Sequence, residues 1–186
     1  MKLLVLSCCA PCSCAAIKHL VDKGVQVTVL FYNPNIFPYA EYERRRKEQQ
    51  KLCRHLGVDF VELPYEHEAW RKQVKGLEDK PEGAERCGVC FRMRLKQAAR
   101  YARQHHFDRF ASVLGTSPKK DVQQVHRAAY QAWIEEGTPY WAESWRKDGL
   151  SELRLALIEE FNLYAQQYCG CEFSQKEYEK NNQNNH

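Results

Sequence analysis

The sequence predicts an α/β domain built on a parallel sheet, and three observations carry that expectation. Leu3–Ser7 is a short apolar run of buried-strand type, the following segment repeats Cys14, Ile17, Leu20 and Val21 at helical spacing, and Val25–Tyr32 is a second β-rich run. Strand, helix and strand within about thirty residues imply a right-handed crossover and parallel pairing. The 186 residues suffice for one domain with a substantial core, read here as 1–180, with a polar, low-complexity, disordered tail over 181–186.

The remaining elements follow from local signals. Pro11 suits the opening of the first helix, expected over Ala15–Lys23, because its missing N–H costs nothing there. Gly24 ends it. Asn33–Tyr39 is a loop at the carboxyl end of the second strand, the edge where functional loops of open α/β sheets lie. Glu41–Leu56 is a charged helix with Tyr42, Gln49, Leu52, Cys53 and Leu56 toward the core. Asp59–Leu63 reads as a third strand, Glu66–Lys75 as a short helix and Gly76–Arg86 as a loop. Cys87-Gly-Val-Cys90 then leads into a long helix, Phe91–Gln104. Phe107–Leu114 is a fourth strand, and after the loop Gly115–Lys120, Asp121 caps a helix reaching about Glu136. Pro139–Trp141 reads as a short last strand, and Leu150–Tyr168 as one or two helices ahead of Cys169-Gly-Cys171.

The N-terminal apolar run is too short for an export signal or a membrane span, so the expected location is the cytoplasm, with no membrane partner. Nine cysteines in a reducing compartment argue for metal binding or redox chemistry over a disulfide scaffold. The net charge of +4 is compatible with nucleic acid but proves nothing alone.

Seven of the cysteines form three groups. Cys8-Cys9-Ala-Pro-Cys12 sits on a strand-to-helix turn, where the helix dipole favours thiolates. Cys87-x-x-Cys90 also stands at a helix start, and Cys169-x-Cys171 lies near the C-terminus. A zinc ion that merely staples the fold is one reading, although a chain with this much core has little need of it. A thioredoxin-like dithiol at Cys9 and Cys12 is another, but it leaves the other groups unexplained. Adjacent Cys8 and Cys9 suit a cluster wider than one ion, with Cys87 and Cys90 completing the ligand set. One glycine between Cys169 and Cys171 permits a strained, easily reduced disulfide, so this is the expected redox pair, with two free buried thiols as the alternative. Cys14 and Cys53 lie on apolar helix faces and read as core. Arg44–Lys47, Arg92, Arg94, Lys96, Arg100 and Lys119–Lys120 have the pattern of solvated faces. Several lie beside the cysteine turns, with Tyr32, Tyr39, Tyr42 and Phe91 among them, as in the recognition of splayed single-stranded RNA.

Several stretches in order resemble one family over residues 3 to about 174. They are Cys8-Cys-Ala-Pro-Cys12, Phe31–Tyr39 with Glu41–Arg45, Arg86–Leu95, Ser117-Pro118, Phe161–Tyr164 and Tyr168–Ser174. The family is the cobalamin-independent epoxyqueuosine reductases of the QueH type. The resemblance implies a Rossmann-like fold related to the adenine-nucleotide α-hydrolase group, with a helical C-terminal segment. It implies a [4Fe–4S] cluster on Cys8, Cys9, Cys87 and Cys90, a redox-active pair at Cys169 and Cys171, and an additional metal ion, expected to be iron, with Cys12 as candidate ligand. The implied partners are tRNA carrying epoxyqueuosine at the anticodon and an external electron donor. The candidate substrate contacts are Tyr32, Asn33, Tyr39, Arg86, Arg92 and Arg94. Relatives often carry Asp-Phe-Arg where this chain reads Glu143-Ser-Trp-Arg146. Two rival functions are a zinc-dependent RNA-binding protein and an ATP-using tRNA-modifying enzyme of the same fold group. The second would need a glycine-rich phosphate loop where this chain has Ser7-Cys-Cys-Ala-Pro-Cys12.

Overall fold

The computed structural model describes residues 1–183. Its centre is a parallel sheet of β1 (Lys2–Ser7), β2 (Gln26–Phe31), β3 (Asp59–Glu62) and β4 (Arg109–Ser112) in the order β3-β2-β1-β4. β1 lies between β2 and β4, with Leu3 opposite both Val27 and Arg109. Leu3, Leu4, Val5 and Leu6 are wholly buried, which is why β1 reads as an unbroken apolar run instead of alternating.

The helices are α1 (Ala10–Asp22), α2 (Tyr39–His55), α3 (His67–Gln73), α4 (Glu85–Gln104), α5 (Val122–Glu136), α6 (Leu150–Glu160) and α7 (Glu172–Gln183). α1 packs with α2 and α6, and α4 packs with α3 and α5. The crossovers from β1 to β3 run one way along the sheet and the β3–β4 crossover runs back. Right-handed connections therefore place these two groups of helices on opposite faces. Between β1 and β4 the order reverses, and their carboxyl ends part to leave a crevice at the topological switch point.

Beyond shorter ends, such as β4 at Arg109–Ser112 and α6 stopping at Glu160, the elements differ from the sequence reading in four places. α1 begins at Ala10, because Cys9 holds an extended N-cap conformation and Pro11 enters the first turn, so Cys12 and Cys14 are helical. α4 begins at Glu85, inside the expected loop, so Cys87 and Cys90 lie within its first turns. Gly88 permits this start: a Cβ there would lie 3.3 Å from Gln124 Nε2, the amide that donates to Ala84 O at 3.2 Å. The expected strand at Pro139–Trp141 is a single parallel bridge, Phe110 to Tyr140. Finally, α7 runs through Gln183, so the first residues of the expected disordered tail are helical, and 184–186 lie outside the described residues. Among the described residues no helix is long and apolar enough to cross a membrane.

Candidate active site

The cysteine turn leaves the carboxyl end of β1 and is held from beneath by polar side chains. Ser7 and Ser13 hydroxyls both donate to Gln49 Oε1, at 2.7 and 3.0 Å, and Ser13 also reaches Cys9 O at 3.2 Å. Asn33 Nδ2 donates to Ser7 O at 2.9 Å. Buried groups fixed in this way order the backbone that presents the sulfurs.

Cys8, Cys9 and Cys12 are buried free thiols whose sulfurs lie within 4.8 Å of one another. Cys8 and Cys9 Sγ are 3.7 Å apart. Cys12 and Cys9 hydrogen-bond to Cys8 and hold its thiol well below the usual range, with Lys120 and Arg94 assisting by charge. One of the three therefore ionises first, and the other two are pushed up, Cys12 to about 11. Gln166 Nε2 donates to Cys9 Sγ at 2.9 Å and Cys12 Sγ at 3.5 Å. Three soft donors on one turn, with a polarised first thiol, form a set suited to zinc or iron.

This group opens onto a cavity of about 140 Å³ at the switch point, lined by Cys8 and Cys12 after β1, by Ser117 and Lys120 after β4, and by Gln166 and Cys169. Arg146 shapes the second wall, donating to Thr116 O at 3.2 Å, to Ser117 O, and to Lys120 O at 3.2 Å. Glu143, the residue of that stretch in question, instead accepts from Trp141 Nε1 at 3.3 Å.

The other cysteines gather next door. Cys87, Cys90, Cys169 and Cys171 line one narrow cavity with Trp70 and Arg86, and Cys169 lines both cavities. Cys87 Sγ accepts from Gly83 N at 3.2 Å, and Cys90 packs with Trp70, Val74 and Cys171. Burial pushes Cys87 up to about 11 and Cys169 to about 12, with Lys120 opposing the second shift. The grouping is thus Cys8, Cys9 and Cys12 on one side and two cysteine pairs on the other. Cys12, the candidate ligand of an additional metal ion, lies with Cys8 and Cys9 in the first group. Cys14 and Cys53 are core residues, as expected.

The candidate substrate contacts divide by burial. Tyr39 and Arg92 are exposed. Tyr32 is buried, its hydroxyl donating to Glu66 at 3.0 Å. Arg94 is 1% exposed and binds Asn33 Oδ1 and Tyr32 O, so Arg94 and Asn33 tie α4 to the ends of β1 and β2. Arg86, also 1% exposed, binds Glu78 O, Lys80 O and Glu177. In this structure Asn33, Arg86 and Arg94 hold the walls of the site together through internal bonds.

Four further residues shape the site in roles the motifs do not assign: Arg45, Gln49, Lys120 and Gln166. Arg45 and Gln49 carry a sequence signal, since Tyr42, Arg45, Gln49 and Leu52 fall on one helical face and all are buried. Nothing local separates buried Lys120 from exposed Lys119.

The family model described as epoxyqueuosine reductase QueH matches residues 3–177. The chain belongs to the QueH family. It is 39% identical over 180 residues to epoxyqueuosine reductase QueH from Haemophilus influenzae, covering 96% of this chain and 74% of that one. It is 35% identical over 176 residues to the QueH protein of Dehalococcoides mccartyi, covering 95% and 93%. By family the chain is an oxidoreductase. Two solved structures share the fold at low identity. One is the U34-tRNA thiolase NcsA from Methanococcus maripaludis, described with its [4Fe–4S] cluster, at TM-score 0.55 and 15% identity, covering 100% of this chain and 66% of that one. The other is a predicted subunit of tRNA methyltransferase from Methanocaldococcus jannaschii, at TM-score 0.59 and 11% identity, covering 91% and 94%. These neighbours share the parallel-sheet α/β fold expected from the sequence.

Proposed function

We propose that this chain reduces epoxyqueuosine to queuosine in the anticodon loop of tRNA, at the crevice where β1 and β4 part. The observation that carries the reading is the family match across residues 3–177. The buried three-thiol group at the switch point supports it by supplying a soft donor set where such folds bind ligands. Cys8 and Cys9, with Cys87 and Cys90, are the proposed ligands of a [4Fe–4S] cluster. Cys12 is the proposed ligand of an additional iron ion, and its sulfur's closeness to both Cys8 and Cys9 supports an ion beside the cluster. When bound, the cluster would supply electrons singly and the iron ion a Lewis-acid contact for the epoxide oxygen.

The chain's own residues do the rest. The net change is epoxide plus two electrons and two protons to alkene plus water. The thiols of Cys169 and Cys171 match that stoichiometry: two S–H bonds are lost, one disulfide forms, and an external reductant reopens it. Cys169 lines both cavities, which puts one sulfur of the pair on the wall of the proposed reaction site. Phosphate contacts fall to the exposed cations Arg44, Lys47, Arg92 and Lys119, since Arg45, Arg94 and Lys120 are buried. The base must leave its stack to reach the crevice. The zinc-only and ATP-using readings are not favoured. The turn after β1 has no glycine and places Pro11, which lacks an N–H, where a phosphate would need backbone donors.

A bacterial strain lacking its own epoxyqueuosine reductase tests the reading. Expression of this chain is expected to convert the tRNA pool from epoxyqueuosine to queuosine by nucleoside mass spectrometry. A pool that stays in the epoxide form, with the protein present and folded, contradicts the assignment.

A further inference from the structure

Lys120 is 8% exposed and lines the cavity that also holds Cys8, Cys12 and Cys169. Among the described residues no carboxylate pairs with its ammonium and no hydrogen-bond acceptor meets it, although thirteen other ion pairs form, each with a nitrogen within 4.0 Å of an acid. The counter-charges of Lys120 are the sulfurs of Cys169, Cys8 and Cys12, and a cation with so little exposure and no carboxylate partner, beside reactive groups in a cavity, marks a functional position. Its backbone is fixed on both sides: Lys120 N donates to Ser117 O at 3.1 Å, Arg146 donates to Lys120 O at 3.2 Å, and Asp121 next to it caps α5 through Gln123 N at 2.8 Å. The cation therefore sits on a braced loop, facing the sulfurs. An unsatisfied buried group marks the same cavity. Gln166 Oε1 is buried and unpartnered, while the other end of its amide touches Cys9 and Cys12.

Resting on the function proposed above, we propose that Lys120 donates a hydrogen bond to the epoxide oxygen of the bound substrate and is a counter-charge, beside the proposed iron ion, of the alkoxide that develops when the first C–O bond breaks. In that step the C–O bonding pair goes to oxygen. Two electrons and two protons, delivered from the Cys169 and Cys171 thiols as they close to a disulfide, leave the ring carbons joined by a double bond and the oxygen as water. The ammonium keeps its proton throughout. Its effect is largest in the transition state, because the charge it faces exists only there. A backbone phosphate is the less fitting occupant: beside its two lysines the wall carries the Glu82 carboxylate and three cysteine sulfurs, and the exposed lysine of the pair, Lys119, is the one that reaches solvent.

The test separates binding from turnover. Epoxide and alkene tRNAs differ by the one acceptor that Lys120 would hold. Reconstituted protein without an electron donor is expected to bind the epoxide form on the order of tenfold more tightly than the alkene form. Lys120→Met should bind both forms equally, keep the parent's affinity for the alkene form, keep its visible absorption, and lose about 100-fold or more in kcat. Lys120→Arg should recover part of both the discrimination and the rate. Lys120→Gln stands in for the methionine variant if that one fails to melt cooperatively. Unchanged discrimination in Lys120→Met or Lys120→Gln overturns the assignment. So does a changed visible absorption with discrimination intact, which would make Lys120 a counter-ion of the sulfur centre only. A parent protein that converts no epoxyqueuosine overturns the functional reading together with this one. A parent that converts it beside an equally discriminating Lys120→Met overturns the lysine assignment alone.

Discussion

Cys8→Ala is expected to lose bound iron almost completely and to lose turnover with it. Cys8 is the thiol that Cys12 and Cys9 polarise toward the thiolate, the form that binds metal, and Lys120 and Arg94 add to that bias. Its sulfur is 3.7 Å from Cys9 and within 4.8 Å of Cys12, so its removal breaks the donor set instead of thinning its surroundings. Removing an outer partner of a metal ligand costs roughly 10–100-fold, and removing a ligand should exceed that. The fold itself should survive, because β1 and α1 are held by the apolar run Leu3–Leu6 and by the bonds of Ser7 and Ser13 to Gln49. Cys53→Ala is the matched control: Cys53 is also buried, but among the described residues its sulfur has a single polar partner, Gln49 Nε2 at 3.7 Å. Iron and sulfide content, visible absorption and thermal melting decide the matter together. A Cys8→Ala protein with parental iron content, or a Cys53→Ala protein that loses its iron, would refute this reading of the turn.

Arg45→Leu is expected to destabilise the protein by about 3–5 kcal/mol, the range for removing one partner of a buried ion pair. The Arg45 side chain is 1% exposed and its Nε lies 2.6 Å from Glu41 Oε1, on a side chain that is 10% exposed. The same guanidinium donates to Cys169 O at 2.9 Å and to Tyr168 O at 3.2 Å. Leucine would leave two carbonyls unmet and Glu41 without its cation, although the Tyr164 hydroxyl, 3.1 Å from Glu41 Oε2, softens the loss. The clamp is tight: at Gly170, where φ is +130°, a Cβ would lie 2.9 Å from Arg45 Nη1 and 3.1 Å from Ile36 Cγ1. Only glycine lets the backbone between the two thiols approach this closely. Besides the shift in urea midpoint, loosening the Cys169–Cys171 segment should lower kcat more than it changes KM for tRNA. Arg45→Lys should restore only part, since one ammonium cannot span a carboxylate and two carbonyls. A midpoint equivalent to within about 0.5 kcal/mol of the parent would place Arg45 among ordinary surface residues and defeat the prediction.

Much of the frame was readable from residue order. β1 and β2 declare themselves because both faces of each are covered, and the parallel order follows from the helices between strands. The cysteine turn was readable as well, since Pro11 and the end of β1 fix where the helix starts. The start of α4 was not, because Gly76–Arg86 reads as loop until the packing of Gln124 over Gly88 is seen. The cations divide: Arg44, Lys47, Arg92, Arg100 and Lys119 are exposed, as the solvated-face pattern expects, whereas Arg45, Arg94 and Lys120 are buried. Arg45, Arg86 and Arg94 are long enough to bury their charge against backbone carbonyls and carboxyl oxygens contributed from distant parts of the chain. For Arg45 and Arg94 helical periodicity gave a usable hint, since each falls on the buried stripe of its helix. For Arg86 and Lys120 it gave none. The grouping of sulfurs is also a tertiary result: spacing places Cys9 and Cys12 one helical turn apart, but that Cys169 borders both cavities depends on the Arg45 clamp.

The most direct measurement is the nucleoside content of epoxyqueuosine-bearing tRNA after incubation with anaerobically reconstituted, reduced protein. The account predicts queuosine formed in many turnovers with the parent protein and none above background with Cys8→Ala. Epoxyqueuosine left intact by an iron-loaded parent, or queuosine formed equally well by the Cys8→Ala protein, would contradict it.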